Sequence, residues 1–546
     1  MQTSQNHKIS YGSGGFYVEP VQNLESYCLP SSENIDNYSS SDNSSQTTYP
    51  SVQTLEQYCT LESASTSNSF PCQNSPPALS FSSNNSPLSK IESNSYVLRP
   101  QHSLEIASGP PENDPYAILD LDDLSHKMRE LETAMLGPNV DMLDIYGALM
   151  PGEADSILLE AEKWKKMMEM VSRGDLKEML YTCAKAMAVN DMETTEWMMS
   201  ESRKMVSVSG NPIQRLGAYI VESLVARMAD SGSTIYKSLK CSEPTGNELL
   251  SYMHVLYEVC PYFKFGYLSA NGAIAEALKE ESEVHIIDFQ ISQGTQWVSL
   301  IHALAHRPGG PPKIRISGVD DSFSSYARGG GLDIVGKRLS ALAESCNVPF
   351  EFNAVRVPAS QVQLKDLELR PYEAVAVNFA IILHHVPDAS VNGHNHRDRL
   401  LRLAKHLSPK VVTLVEQEFN TNNAPFLQRF VETMNYYLAV FDSIDAARPR
   451  EDKERINVEQ HCLAREVVNL IACEGEERVE RHELLNKWRM RFTDAGFSPY
   501  PLNSFINSSI KDLLQSYHGH YTLEEKDGAL FLGWKNQVLI ASCAWR

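Results

Sequence analysis

The stretch VHIIDFQISQGTQW, residues 284–297, decides the fold of this chain. Apolar and β-branched residues run up to Asp288, a polar turn containing Gly294 follows, and the next residues, VSLIHALA, have apolar side chains at helical spacing. The pattern predicts a strand, a loop and a helix in that order. Nucleotide-type ligands bind at such loops in open α/β folds, so the stretch is also a candidate cofactor site.

Strand and helix patterns alternate from this stretch to the end of the chain. The predicted strands are VHIIDF, KIRISGV, PFEFNAV, YEAVAVNFAIIL and KVVTLVEQE, followed near the end by GALFLGWKN and VLIASCAW, which a tight polar turn joins. This alternation predicts a Rossmann-like α/β fold, in which a mainly parallel sheet is covered on both faces and an antiparallel hairpin closes one edge. Residues 158–280 have helical apolar stripes and form a predicted helical cap.

The beginning of the chain has a different composition. Residues 1–113 are rich in Ser and Asn and have no sustained apolar period, so we predict a disordered arm. Two similar octapeptides lie in it, VQNLESYC from Val21 and VQTLEQYC from Val52, and both a partner-docking motif and chance similarity remain open. Residues 114–157 are predicted to form a linker that contains an amphipathic helix over residues 119–137.

The composition excludes several classes of protein. A formal net charge of -21 disfavours a protein that coats nucleic acid, although a local basic groove remains open. The ten cysteines form no C-x-x-C pair and no Cys/His cluster at zinc spacing, so we expect reduced thiols and no metal site. No run approaches the roughly 18 apolar residues that span a bilayer, and the first residues lack a hydrophobic signal core. We therefore expect a soluble intracellular protein without membrane contact.

The loop after the first strand departs from a methyl-donor site. Such a site has the pattern acidic-x-Gly-x-Gly-x-Gly, and the corresponding positions here are Asp288, Gln290, Ser292 and Gly294. Two of the three glycines are thus replaced where a ligand would press against the backbone. Asp320 does follow the second strand, where ribose contacts belong. We predict that the loop is a vestige that serves architecture and binds no cofactor.

The fourth strand ends NFAIILHHVPD and offers a possible general base. His384 or His385 could accept a proton, with Asp388 orienting the ring, because imidazole titrates near neutral pH. The segment resembles the LHDWSD-type segment of plant O-methyltransferases, in which His384 matches the catalytic His while the residues after it differ. The alternative function is therefore an S-adenosylmethionine-dependent methyltransferase, with Asp288 and Asp320 in donor binding and His384 as base.

Two helical patterns could serve partners. RVERHELLNKWRMRF, residues 478–492, is the most basic one; the interpretation is a solvated helix face, with a phosphate contact as the alternative. The residues after YARGGGLDI form an apolar stripe that we interpret as core or dimer seam. The stripe contains Leu332, Val335, Leu339, Leu342 and Cys346.

Together these residues resemble the GRAS family of plant regulators, whose VHIID motif is present unaltered. The resemblance covers about residues 160–546, and stretches such as ANGAIAEAL, RPGGPP and ARGGGL are similar to its scarecrow-like branch associated with phytochrome A signal transduction. The family marks are Val284, His285, Ile286, Ile287, Asp288, Pro409, Phe430, Tyr437, Arg465, Glu466, Arg478, Glu483, Trp488, Gly496, Trp534 and Trp545.

The resemblance implies a fold and a function. It implies a GRAS domain over residues 158–546, with a helical cap up to residue 280 and a methyltransferase-like Rossmann core over residues 281–546. It also implies a non-enzymatic transcriptional regulator or co-regulator that is nuclear, and possible in the cytoplasm as well. Such a protein would act in light, hormone or stress signalling.

The resemblance also implies partners. These are transcription factors and other signalling proteins, a second GRAS chain in a homo- or heterodimer, and possible contact with duplex DNA. His285 and Asp288 would then be hydrogen-bonded inside the fold, for example to loop backbone. Deleting either side chain should therefore lower the stability of the fold, and no loss of a catalysed reaction is expected.

Overall fold

The structure, a computed structural model, describes residues 153–232, 234–320 and 331–546. Residues from Met168 onward form one compact unit, whereas residues 153–167 belong to a second unit and begin a helix there. The predicted disordered arm, its two octapeptides and the predicted amphipathic helix lie outside the described residues, and these expectations stay predictions.

The described chain before the first strand is helical. Its helices are α1 (Glu153–Arg173), α2 (Leu176–Ala188), α3 (Met192–Arg203), α4 (Pro212–Met228), α5 (Ile235–Ser238), α6 (Gly246–Val259) and α7 (Tyr262–Ala277). Polar side chains satisfy the free N–H groups where two of these helices begin. Asn211 with Gln214, and Thr245 with Glu248, form reciprocal capping boxes for α4 and α6.

Strands and helices then alternate as predicted. The elements are β1 (Glu283–Asp288), α8 (Thr295–Ala305), β2 (Lys313–Val319), α9 (Leu332–Ser345), β3 (Phe350–Val355), β4 (Ala374–Ala380), α10 (Ala389–Asn392), α11 (His396–His406) and β5 (Val411–Gln417). After them come α12 (Phe426–Asp445), α13 (Lys453–Val458), α14 (Ala464–Ala472), α15 (Leu485–Asp494), β6 (Pro499–Tyr500), α16 (Ser504–Leu514), β7 (Tyr521–Lys526), β8 (Ala529–Trp534) and β9 (Gln537–Trp545).

One mixed sheet joins these strands. Its first five are parallel, in the order β3, β2, β1, β4, β5, and β9, β8 and β7 continue it in antiparallel pairing, while the short β6 pairs with β9. The predicted Rossmann-like, methyltransferase-like α/β core is therefore confirmed, including the β8–β9 hairpin. The hairpin does not close the edge, because β7 lies outside it. Only Tyr521 and Leu523 of β7 are partly buried, so its charged sequence gave no strand pattern.

The sheet is buried on both faces, which explains the nearly continuous apolar sequence of its central strands. On one face lie Trp297 and Leu300 of α8 with Leu339 of α9. On the other face lie Leu400 of α11 and Trp488 of α15. Polar residues near the carboxyl ends of β1, β4 and β5 are buried as well, namely Asp288, Asn378 and Glu416.

The helical cap is joined directly to the sheet and to the later helices. A Cβ added to Gly266 in α7 would lie 2.6 Å from Cγ1 of Val415 in β5, so the helix backbone rests on the strand. Arg215 of α4 donates to Glu459 at 3.1 Å and to the Phe441 carbonyl oxygen at 3.0 Å. Elements from both sides of the predicted boundary between residues 280 and 281 thus share one helical layer.

Within the described ranges, none of the helices has the combination of length and apolar character that spanning a bilayer requires.

Candidate functional site

Asp288, at the carboxyl end of β1, is buried and fully hydrogen-bonded inside the protein. Its Oδ2 accepts from Trp297 Nε1 at 2.8 Å, and its Oδ1 accepts from Asn378 Nδ2 and from the Gln290 backbone N–H, both at 3.1 Å. Burial raises the pKa of Asp288 to about 6, against the lowering effect of these three hydrogen bonds. The bond to Gln290 confirms the predicted contact with loop backbone.

An amide network continues from Asp288 into the cap. Asn378 Nδ2 donates to Gln296 Oε1 at 3.0 Å, and Gln296 Nε2 donates to Asn271 Oδ1 of α7 at 3.2 Å. Thr413 of β5 donates to Asn378 Oδ1 at 2.8 Å. This network was not predicted from the sequence, although Asn378, the lone polar residue in the apolar strand AVAVNFA, was a signal for it.

Apolar side chains of the loop after β1 fill the space beside the strand ends. The Phe289 ring is fully buried and stacks on Phe379 with ring centroids 4.9 Å apart. Ile291 is also buried and packs beside Gly318 of β2, where an added Cβ would lie 3.1 Å from Ile291 Cβ. Ser292 holds a left-handed backbone with φ of 47°. Ring and alkyl groups therefore pack densely around the loop after β1.

Gly294, the remaining glycine of the donor pattern, serves packing. Its φ is 70°, and an added Cβ would lie 2.9 Å from Val335 Cγ1 and 3.1 Å from Leu339 Cδ1 of α9. The stripe on α9 that was predicted as core or dimer seam is core at its buried positions. These are Leu332, Val335 and Leu339, whereas Leu342 and Cys346 are half-buried.

His285 lies on β1 but faces the neighbouring strand. Its Nδ1 accepts from Arg315 Nη2 at 2.9 Å and its Nε2 bonds to Ser317 Oγ at 2.7 Å. His285 is hydrogen-bonded inside the fold as predicted, although both partners are side chains of β2 and not the loop backbone given as an example. Burial, and then the Arg315 charge, lower the pKa of His285 to about 4. Asp320, the predicted ribose contact, is buried at the end of β2.

A second set of polar residues lies at the carboxyl ends of β4 and β5. The Nδ1 of His384 bonds to Glu416 Oε2 at 2.7 Å, so Glu416 orients the ring. Asp388, which the methyltransferase alternative assigned to that role, instead accepts from Asn422 at 2.6 Å and from Arg491 at 3.1 Å. The predicted His384–Asp388 pair is wrong, since Asp388 is hydrogen-bonded to Asn422 and Arg491 and His384 is bonded to Glu416.

The segment over residues 478–484 is not helical, and the predicted solvated helix is wrong for it. Helix α15 begins only at Leu485, and no apolar residues stand at helical spacing before it. Arg478 donates to the carbonyl oxygens of Thr421 and Asn422, both at 2.9 Å, so its guanidinium holds a loop and does not face a phosphate. The buried charged or titratable side chains here are Arg478, Glu480, Arg481, His482 and Glu483.

Ion pairs enclose this segment. Glu483 is fully buried and lies 3.3 Å from Arg397 Nη1 and 2.7 Å from Arg491 Nε. Arg397 is fully buried as well, with its guanidinium 5.0 Å from the centroid of the Trp488 ring. Burying such charges is costly unless each has a partner, and the pairs satisfy that condition here.

Three histidines and a glutamate meet beside these ion pairs. The rings of His384 and His482 stack with centroids 4.4 Å apart, and Glu480 Oε2 lies 3.6 Å from the Nε2 of each. The half-exposed His385 bonds to Glu480 Oε1 at 3.1 Å. The structure thus brings His384 and His385 together with residues that the sequence analysis had placed on a surface helix.

Comparison with known proteins places this architecture in a family. The model of the GRAS domain family matches residues 176–546. The chain belongs to the GRAS domain family. Scarecrow-like protein 5 of Arabidopsis thaliana is 65% identical over 425 residues, which cover 78% of this chain and 70% of that protein.

Two further comparisons support this family assignment. Scarecrow-like transcription factor PAT1 of Arabidopsis thaliana is 63% identical over 428 residues, which cover 78% of this chain and 87% of that protein. The crystal structure of SCL7 in Oryza sativa superposes with a TM-score of 0.61 at 34% identity, covering 68% of this chain and 99% of that chain. The predicted family is confirmed, and this GRAS protein is a plant transcriptional regulator.

The remaining GRAS marks are spread through the core and do not form one site. Trp534 donates to Asp442 at 2.6 Å, and Trp545 stacks on Phe492 with centroids 4.9 Å apart. Val284, Ile286 and Ile287 are buried in β1, and Gly496 ends α15 with φ of 90°. The Arg465 guanidinium lies over the Tyr236 ring, and Glu466 accepts from Tyr437. These residues thus make separate contacts in different parts of the structure.

Proposed function

We propose that this GRAS protein acts in the nucleus as a non-enzymatic co-regulator that brings transcription factors and signalling proteins together in light, hormone or stress responses. Its α/β core and helical layer would supply a rigid support for these partners. The net charge of -21 favours recruitment to promoters through basic protein partners over direct coating of DNA.

The hydrogen bonds and packing at the carboxyl end of β1 are the main support for this proposal. In open α/β sheets, ligands bind outside the carboxyl ends of the strands. Here both oxygens of the Asp288 carboxylate accept hydrogen bonds, from Trp297, Asn378 and the loop backbone, and the neighbouring Phe289 is buried. A methyl donor would have to displace these groups, which supports a scaffold over a methyltransferase.

The methyltransferase alternative is tested by calorimetry on the full-length chain. S-adenosylmethionine and its demethylated product are titrated separately into the protein, with a folded Asp288→Ala variant in parallel. We expect no binding heat from either ligand. Micromolar binding by the wild type, absent from the variant, would contradict the non-enzymatic assignment and call for a search for the methyl acceptor.

The co-regulator role is tested by tethering. The full-length chain is fused to an unrelated DNA-binding domain and measured on a reporter gene that carries sites for that domain. We expect transcription to change relative to the DNA-binding domain alone. The control variant Asp333→Ala removes only a solvent-exposed ion pair and should change transcription as the wild type does. Glu483→Ala breaks buried ion pairs and should lose the change in transcription. A reporter that does not respond to the folded fusion would overturn the proposal.

A further inference from the structure

His384, Glu480 and His482 bring three polar atoms close together in the interior of the protein. Among the residues that the structure describes, they are the group of histidines and acids whose ligand atoms lie close enough to share an ion, all within 4.8 Å of one another. All three side chains are buried. Short Cys and His spacings in the sequence gave no sign of a metal site, because His384 and His482 come from distant parts of the chain.

Glu480 supplies an independent sign that a ligand belongs here. The residue is 6% exposed, and its Oε2 has no hydrogen-bond partner in the structure. The two histidine nitrogens nearest to it are 3.6 Å away, which is too far for a hydrogen bond. A buried carboxylate oxygen without a donor costs free energy, so a cation between these three atoms would remove a penalty.

The outer partners of both rings suit metal binding. Glu416 accepts from Nδ1 of His384 at 2.7 Å, which leaves the Nε2 lone pair directed at Glu480. Nδ1 of His482 lies 3.1 Å from Thr421 Oγ1, a hydroxyl oxygen that can accept its proton. Carboxylates and other acceptors behind metal-bound histidines fix the ring tautomer in the same way.

We infer that His384 Nε2, His482 Nε2 and Glu480 Oε2 bind a divalent metal ion of the zinc type. A tetrahedral zinc ion with bonds of about 2.0–2.1 Å holds its ligand atoms about 3.3 Å apart. Glu480 Oε2 lies 3.6 Å from each of the two Nε2 atoms and all three atoms lie within 4.8 Å of one another, so the side chains would draw closer around the ion. His482 Nε2 lies 2.5 Å from Gln417 Oε1 and is hydrogen-bonded to it in this structure. Metal binding would displace that hydrogen bond, and the freed amide oxygen would be available as a fourth ligand. The ion would tie the end of β4 to the segment over residues 478–483.

The inference is tested on the full-length chain. The protein is loaded with zinc, passed over a chelating resin, and its metal content is measured by mass spectrometry. We expect one retained zinc ion per chain, lost from Glu480→Gln and His482→Gln. His461→Gln is the matched control, because His461 is buried but lies outside the group, and it should keep the ion. Zinc removal should lower the melting temperature of the wild type and the control only.

X-ray absorption of the zinc-loaded wild type distinguishes this site from adventitious binding to the ten cysteines. Nitrogen and oxygen neighbours at about 2.0 Å support the inference, whereas sulfur neighbours at about 2.3 Å overturn it. A folded wild type that retains no zinc, or a folded Glu480→Gln variant that retains all of it, overturns it as well. The absorption spectrum decides the question even if both variants fail to fold.

Discussion

Two regions at the carboxyl edge of the same sheet solve the burial of polar groups in opposite ways. The loop over residues 288–294 buries one acid, Asp288, and gives it uncharged partners, an indole and an amide among them. The segment over residues 478–483 buries five charged or titratable side chains, and charged groups, backbone carbonyls or polar side chains contact each of them. The first region has the sequence of a ligand site and packs its acid against uncharged groups, whereas the second has the sequence of a surface and is core.

The difference teaches that charge along a sequence does not report exposure. Guanidinium groups can replace water as donors to the carbonyl oxygens of a loop, as Arg478 does for Thr421 and Asn422. A charged segment can therefore hold irregular backbone inside a protein. If this comparison is right, substitutions in the charged region should cost more stability than substitutions in the loop after β1.

The largest expected effect is that of Glu483→Ala. The change leaves Arg397 buried beside the charge of Arg491, and we expect the free energy of unfolding to fall by about 3–5 kcal/mol. Urea denaturation monitored by circular dichroism measures it. Asp333→Ala is the control, since it breaks an ion pair with Arg356 that is exposed to solvent, and it should change little. Equal losses from both variants would contradict the comparison.

Asp288→Ala should have the next largest effect. It removes the acceptor of the Trp297 indole N–H, of the Asn378 amide and of one loop N–H, and we expect a loss of about 2–4 kcal/mol. Asp288→Asn keeps one acceptor oxygen and should lose less. If Asp288→Ala unfolds at the same urea concentration as the wild type, Asp288 does not stabilise the loop.

The stability difference between the wild type and Asp288→Ala should also depend on pH. The pKa of Asp288 rises from an ordinary 3.8 to about 6, so the folded state holds its proton more tightly than the unfolded state. The contribution of Asp288 to stability should therefore be largest below pH 3.8 and decline as pH rises to about 6. His285 contributes the opposite trend in both proteins and cancels in the difference. A difference that grows with pH would contradict the burial effect.

Gly294→Ala should have an intermediate effect. The added methyl meets Val335 and Leu339 and the backbone is left-handed, so we expect a loss of about 1–3 kcal/mol. Gly309→Ala is the matched control, because Gly309 has φ of 91° with no atom within 4 Å of an added Cβ. Thermal denaturation of both variants separates crowding from backbone strain. Equal losses would mean that the contact with α9 is not tight.

Ser292→Gly should have the smallest effect, and of opposite sign. The φ of Ser292 is 47°, which is strained for a residue with a side chain, and glycine would relieve that strain. Glycine also gives the unfolded chain more conformational entropy, which opposes this gain. We expect a net stabilisation of about 0.5 kcal/mol. Ser282→Gly, at a position without positive φ, should destabilise the protein slightly. A loss of melting temperature in Ser292→Gly would show that the serine side chain makes a compensating contact.

Much of the fold followed from local patterns. The alternation of strands and helices, the parallel core and the β8–β9 hairpin are all present as predicted, because apolar periodicity is set by residues close together in sequence. The departure from the donor pattern at Gln290 and Ser292 was also visible in the sequence. By contrast, β7 was missed, since an edge strand that buries only part of Tyr521 and Leu523 needs no apolar alternation.

The sequence by itself determined the order of the elements, the strand that ends at Asp288 and the family. Only the tertiary structure decided which charges are buried and what each of them contacts. His285 bonds to β2 and not to its own loop, His384 pairs with Glu416 and not with Asp388, and Glu483 meets Arg397 and Arg491 inside the core. The physical reason is that burial of a charge depends on partners from distant segments, and these partners meet only when the chain has folded.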